Sequence, residues 1–65
     1  MKLETIIEQG YVLCSWAIRK IHNERRVVLK LNKKTSRGER HYVAHSPYTG
    51  AKLADVEFTE PILLK

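Results

Sequence analysis

Nine of the chain's twelve Lys and Arg residues lie between positions 19 and 40: Arg19, Lys20, Arg25, Arg26, Lys30, Lys33, Lys34, Arg37 and Arg40. Only Glu24 and Glu39 oppose them, so this stretch carries a net +7. The rest of the chain holds three lysines against five carboxylates, a net −2. Cations concentrated in this way are suited to neutralising the phosphates of a polyanion. Lys33, Lys34 and Arg37 surround Thr35-Ser36, where a turn brings them to a loop tip within reach of a backbone or groove. Tyr42 and Tyr48 are nearby aromatics of the kind that stack on unpaired bases. These residues, with Tyr42 among them, are the candidate nucleic-acid site, for DNA or RNA.

Other chemistry is poorly supported by spacing. His22, His41, His45 and Cys14 invite a metal reading. In an extended segment, however, His41 and His45 sit about 13 Å apart, too far to share one ion, and no C-x2-C pair exists. No metal and no cofactor are expected. Cys14 with a histidine lacks a third orienting group, and so short a chain leaves little room for an oxyanion hole. Asp55, Glu57 and Glu60 read as an acidic rim, with Asp55 and Glu57 on one strand face pairing with cations of a neighbouring strand. Tyr48 to Lys52 is no phosphate loop. The expectation is a binding protein, not an enzyme, and no RNP, KH, zinc-finger or basic-zipper signature narrows it further.

The elements that would hold these residues follow from period and residue type. The chain has 65 residues, which allows one small domain spanning 1–65. Leu3, Ile6 and Ile7 recur at helical spacing before Gly10, which predicts a short helix over 2–9. Tyr11 to Ile21 is read as a strand from its Tyr, Val, Cys, Trp and Ile content. That strand puts Val12, Cys14, Trp16 and Ile18 on one face and Leu13, Ser15, Ala17 and Arg19 on the other. A helical period also runs through Leu13, Cys14, Ala17, Ile18 and Ile21. It supports an alternative, a small winged helix-turn-helix whose second helix offers Arg19, Lys20 and His22 to DNA. Arg26 to Asn32 alternates as a half-wet strand, with Val27, Leu29 and Leu31 inward and Val28 on the wet side. Lys33 to Glu39 reads as a turn, Arg40 to His45 as the returning strand, and Leu53 to Phe58 as a last short strand. Pro61 breaks regular pairing, and Ile62-Leu63-Leu64 is expected to dock on the core or a partner.

The fold class expected is therefore α+β: a short N-terminal helix packed on a three- to four-stranded antiparallel β-meander. Its core would contain Ile6, Ile7, Trp16, Ile18, Val27, Leu29, Leu31, Val43 and Phe58. Cys14 is expected to be a small buried apolar residue, and a lone thiol suits the reducing cytoplasm. No apolar run reaches the length of a membrane span, and the N-terminus has no signal-peptide pattern, so no membrane partner is expected. The functional expectation is a small basic nucleic-acid-binding protein with a regulatory role, using a cationic hairpin. Its rival is a protein-binding inhibitor or accessory subunit that docks on an acidic partner. A homodimer would supply core that so short a chain lacks.

Overall fold

Two tight turns fold the middle of the chain into a meander. His22 and Asn23 both take left-handed backbone, with φ of 50° and 66°, the combination a two-residue hairpin turn of the primed type requires. Ser36-Arg37 makes the second turn. There the Thr35 hydroxyl accepts from the Arg37 N–H at 3.2 Å and donates to the Gly38 carbonyl at 2.8 Å. Gly38 has φ 101°, which a side chain would strain.

The computed structural model describes residues 1–64. In chain order they form α1 (Leu3–Glu8), β1 (Val12–Ile21), β2 (Glu24–Thr35), β3 (Gly38–Pro47), a 3-10 turn (Leu53–Asp55) and β4 (Ile62–Leu63). The four strands make one antiparallel sheet in the order β1-β2-β3-β4. A short helix beside a four-stranded antiparallel meander agrees with the expected class. Residues 12–21 are a strand, so the second helix of the winged alternative is not formed.

Register explains why that segment also read as a helix. Leu13 pairs with Leu31, but Ser15 pairs with Lys30, so Cys14 is an extra residue in a β-bulge. The bulge shifts the alternation by one. Leu13 therefore shares a face with Trp16 and Ile18, while Val12 joins Ser15, Ala17 and Arg19 on the other. This corrects the faces expected from unbroken alternation. Cys14 itself is exposed rather than buried.

Pairing assigns each side chain to a face, because residues opposite one another project the same way. One face carries Trp16, Ile18, Val27, Leu29, Leu31, Tyr42 and Ala44. Onto it pack Ile6 of α1 together with Val56 and Phe58, completing a core of Ile6, Val27, Leu29, Leu31, Ala44, Val56 and Phe58. Full burial of an aliphatic side chain such as Leu29 contributes about 1.5–3 kcal/mol. α1 has only six residues and no side-chain N-cap, so it depends on this packing. The segment after the 3-10 turn is extended and stitched in place from both sides. The Phe58 N–H donates to the Met1 carbonyl at 2.7 Å, and the Thr59 N–H to the His45 carbonyl at 2.8 Å. His45 N–H in turn donates to the Thr59 hydroxyl at 3.2 Å.

Several expectations are corrected by this cover. It reaches only the middle of the sheet, so Trp16 and Ile18 remain 50% and 47% exposed despite facing the covered side. Ile7 points away from the sheet and is exposed. Val43 projects from the opposite face and is half-buried, whereas Val28, assigned to the wet side, is buried there among its neighbours. Residues 53–58 form no strand, so Asp55 and Glu57 share no strand face, and Glu57 pairs with the Met1 amino group at 2.9 Å. The apolar tail forms β4 against β3.

Core and ledge should respond differently to truncation. Leu29→Ala should cost about 2–5 kcal/mol and leave most of the chain unfolded, while Trp16→Ala, at a half-exposed site, should cost about 1 kcal/mol. Thermal melts by circular dichroism measure both; equal losses would contradict the placement of the cover.

Candidate nucleic-acid interface

Extended strands send neighbouring cations to opposite faces, so the basic stretch does not form one patch. Arg19, Arg26, Lys30 and Lys34 share the uncovered face with Ser15, Ala17, Val28, His41 and His45. Lys20, Arg25, Lys33, Arg40 and Tyr42 project to the covered side. Lys33 and Lys34 are strand residues of β2, not loop-tip residues as the sequence suggested, and only Arg37 sits in the turn.

Along the sheet the same cations gather at its two ends. Arg19, Lys20, Arg25 and Arg26 surround the first hairpin tip with one carboxylate, Glu24. Lys33, Lys34, Arg37 and Arg40 surround the second with one carboxylate, Glu39. Each end has a net +3, and Lys30 lies between them. Arg25 and Lys34 are nine residues apart on β2, about 30 Å at strand rise.

The pairing itself is electrostatically costly. Arg19 stands directly opposite Arg26, Lys20 opposite Arg25, and Lys33 opposite Arg40. Like charges facing one another across a ladder destabilise it, by up to about 1 kcal/mol per pair. Only two ion pairs exist among the described residues: Met1 with Glu57, and Arg26 with Glu24 at 3.6 Å. Glu39 accepts a hydrogen bond from the Asn32 side-chain amide. Arg19, Lys30 and Lys34 thus have no carboxylate at ion-pair distance among the described residues.

On the uncovered face a hollow of about 70 Å3 opens beside two of these groups, Arg19 and Lys30, and is lined further by Ser15, Trp16, Ala17 and Val28. Ala17 and Val28 are directly paired and form its floor. Ala17 is short enough to leave space between longer neighbours. Ser15 and Lys30 close one end, and the Arg19–Arg26 pair stands at the other. A hydroxyl donor, an ammonium and a guanidinium around a shallow apolar floor suit a phosphate group. The sequence reading missed Ser15, Ala17 and Val28. The signal available was a small residue between Ser15 and Arg19 in a strand.

Tyr42 is engaged elsewhere. Its ring meets Tyr11 edge-on, with centroids 5.0 Å apart, and packs against the core. Lys33 lies over the Tyr11 ring at 4.5 Å, a cation–π contact that draws this lysine toward the covered side. Of the two tyrosines proposed to stack on bases, Tyr48 is the exposed one. His41 and His45 lie on the uncovered face of β3, and no group of three His, Cys, Asp or Glu among the described residues is arranged to hold a metal.

Burial raises the Tyr11 phenol above its ordinary value of 10.0, with smaller contributions from Tyr42 and Glu60. The fold therefore favours the protonated phenol. That stability is fully present below the unfolded pKa and is lost as pH rises through the raised folded value. In a spectrophotometric alkaline titration, Tyr11→Phe should remove a phenol that titrates above its ordinary value and flatten the loss of stability at high pH. An unchanged profile would contradict the assignment.

Compared with protein-family models, curated proteins and solved structures, the chain matches none.

Proposed function

We propose that this chain is a small, non-catalytic nucleic-acid-binding protein that holds phosphate backbone on the uncovered face of its sheet. The observation that carries the proposal is the like-charged Arg19–Arg26 pair on that face, with Lys30 and Lys34 alongside and no carboxylate at ion-pair distance from Arg19, Lys30 or Lys34 among the described residues. Such a pair opposes folding, and a bound polyanion relieves the repulsion. The hollow between Ser15, Arg19 and Lys30 supports a first phosphate position, and Arg26 and Lys34 extend the cationic track along β2. Base stacking has little part in this reading, because Tyr42 is packed on Tyr11. It is therefore a backbone reader, with weak sequence preference.

Small size and backbone binding fit a regulatory or accessory role in the cytoplasm. No helix among the described residues is long and apolar enough to cross a membrane. The competing reading makes the same cations a docking patch for an acidic protein surface, with the chain acting as an inhibitor or accessory subunit.

Salt-dependent titration of a labelled duplex and of a single strand separates the two readings. If the four uncovered-face cations each neutralise one duplex phosphate, the slope of log K against log salt should be about −3.6, at about −0.9 per contact. Arg19→Ala combined with Lys30→Ala should weaken binding to all sequences and bring the slope to about −1.8. Folding stability should change by no more than about 0.5 kcal/mol, or improve as the Arg19–Arg26 repulsion is removed. Lys33→Ala, on the opposite side, should leave the slope within about 0.5 of the parent value. No affinity for either nucleic acid at low salt would remove this function and leave the protein-docking reading.

A further inference from the structure

The chain protects one edge of its sheet and leaves the other bare. On the β3 side, Thr59 bonds to His45, the Leu64 N–H donates to the His41 carbonyl at 2.9 Å, and β4 pairs with Tyr42 and Val43. On the β1 side no strand among the described residues follows. A two-residue turn of the primed type closes on a hydrogen-bonded pair, here Ile21–Glu24. Alternation from there turns the N–H and C=O groups of Lys20, Ile18 and Trp16 outward, away from β2. Trp16 and Ile18 also carry the apolar ledge that the cover does not reach. Unused backbone groups and uncovered apolar surface thus coincide on two residues of one edge, Trp16 and Ile18, the usual setting for addition of a strand.

We propose that the strand added is β1 of a second copy of this chain, antiparallel, with the two-fold axis at Ala17. This register is self-complementary. Trp16 of each copy faces Ile18 of the other, an aromatic–β-branched pair of the kind that stabilises adjacent strands. The outward backbone groups of residues 16 and 18 meet one another, as antiparallel hydrogen bonding requires. The two Trp16 and two Ile18 side chains close into one apolar cluster on the covered side.

Charge selects the same arrangement. On the uncovered side Arg19 comes opposite Ser15 of the other copy; on the covered side Lys20 comes opposite the bulge at Cys14. No cation faces a cation across the new ladder, unlike the pairs inside each copy. The first hairpin tip, with Lys20 and Arg25, runs beside the α1–β1 connection of the other copy, just after Glu8 at the end of α1. A parallel second copy, or a register centred on Arg19, would set like charges side by side. The result is an eight-stranded sheet in which two uncovered faces become one, with two hollows flanking the axis. The pairing needs no ligand and stands independently of the nucleic-acid reading.

The interface is short, which places association at the weak end of specific contacts. Sedimentation without nucleic acid, from about 1 μM to about 1 mM, should show a reversible shift from the 7.6 kDa chain to twice that mass. Trp16 is the only tryptophan, so its emission should move to shorter wavelength in step with the mass. Ile18→Lys and, separately, Trp16→Lys should weaken association at least tenfold while circular dichroism keeps the parent spectrum. A chain that stays monomeric throughout would overturn the proposal, as would a dimer that forms with unchanged Trp16 emission. Association undisturbed by both substitutions would do the same. Should a variant fail to fold, the coupled mass and emission change of the parent chain decides alone.

Discussion

The structure depends on how much of a sheet two short end segments can cover. α1, with Met1 and Tyr11 beside it, and the stretch from Leu53 to Phe58 pack onto the face of Leu29, Leu31 and Ala44. A sheet with hairpins this long needs more than that to be closed on both sides. The chain buries the middle of one face and leaves the other open, along with the first hairpin and the edge of β1. Stability therefore concentrates in a few fully buried side chains, Ile6, Leu29 and Leu31.

The uncovered face differs in kind from an ordinary solvated one. A wet sheet face gains stability when opposite charges stand across the ladder. Here Lys34 faces Glu39, but Arg19 faces Arg26, and on the other side Lys20 faces Arg25 and Lys33 faces Arg40. The cost is tolerable because the side chains are long and largely solvated. An anion lying between such a pair would relieve the repulsion. On the uncovered face Arg26 and Lys34 lie about 26 Å apart on either side of Lys30, a cationic line along β2. The alternation that gives this face its cations also turns Lys33 toward Tyr11, so a lysine next in sequence to Lys34 has a different neighbourhood.

Much of this was legible from residue types. The helix before Gly10, the inward set Val27, Leu29 and Leu31, and the strand character of Tyr11 to Ile21 follow from period and β-propensity. What escaped was phase. Nothing in the sequence marks Cys14 as a bulge, so Val12 and Leu13 were assigned to the wrong faces and Cys14 to the interior. The turn at Ser36-Arg37 is shorter than its polar composition suggests, because strand pairing continues through Lys33 and Lys34. Trp16 and Ile18 have the composition of core residues, but their burial depends on the reach of α1 and the C-terminal segment, which sequence period does not report. The hollow was missed for the same reason: Ala17 becomes a floor only once Val28, Ser15, Lys30 and Arg19 are placed around it by register.

We propose that the uncovered face, and not the charged stretch as a whole, meets phosphate. Amide chemical-shift mapping during titration with a short duplex tests it most directly. Perturbations should centre on Ser15, Ala17, Arg19, Arg26, Val28 and Lys30 and extend toward Lys34, while Ile6, Leu29, Ala44 and Phe58 stay unmoved. Shifts confined to Lys33, Arg40 and the covered side, or spread evenly over all nine cations, would contradict it.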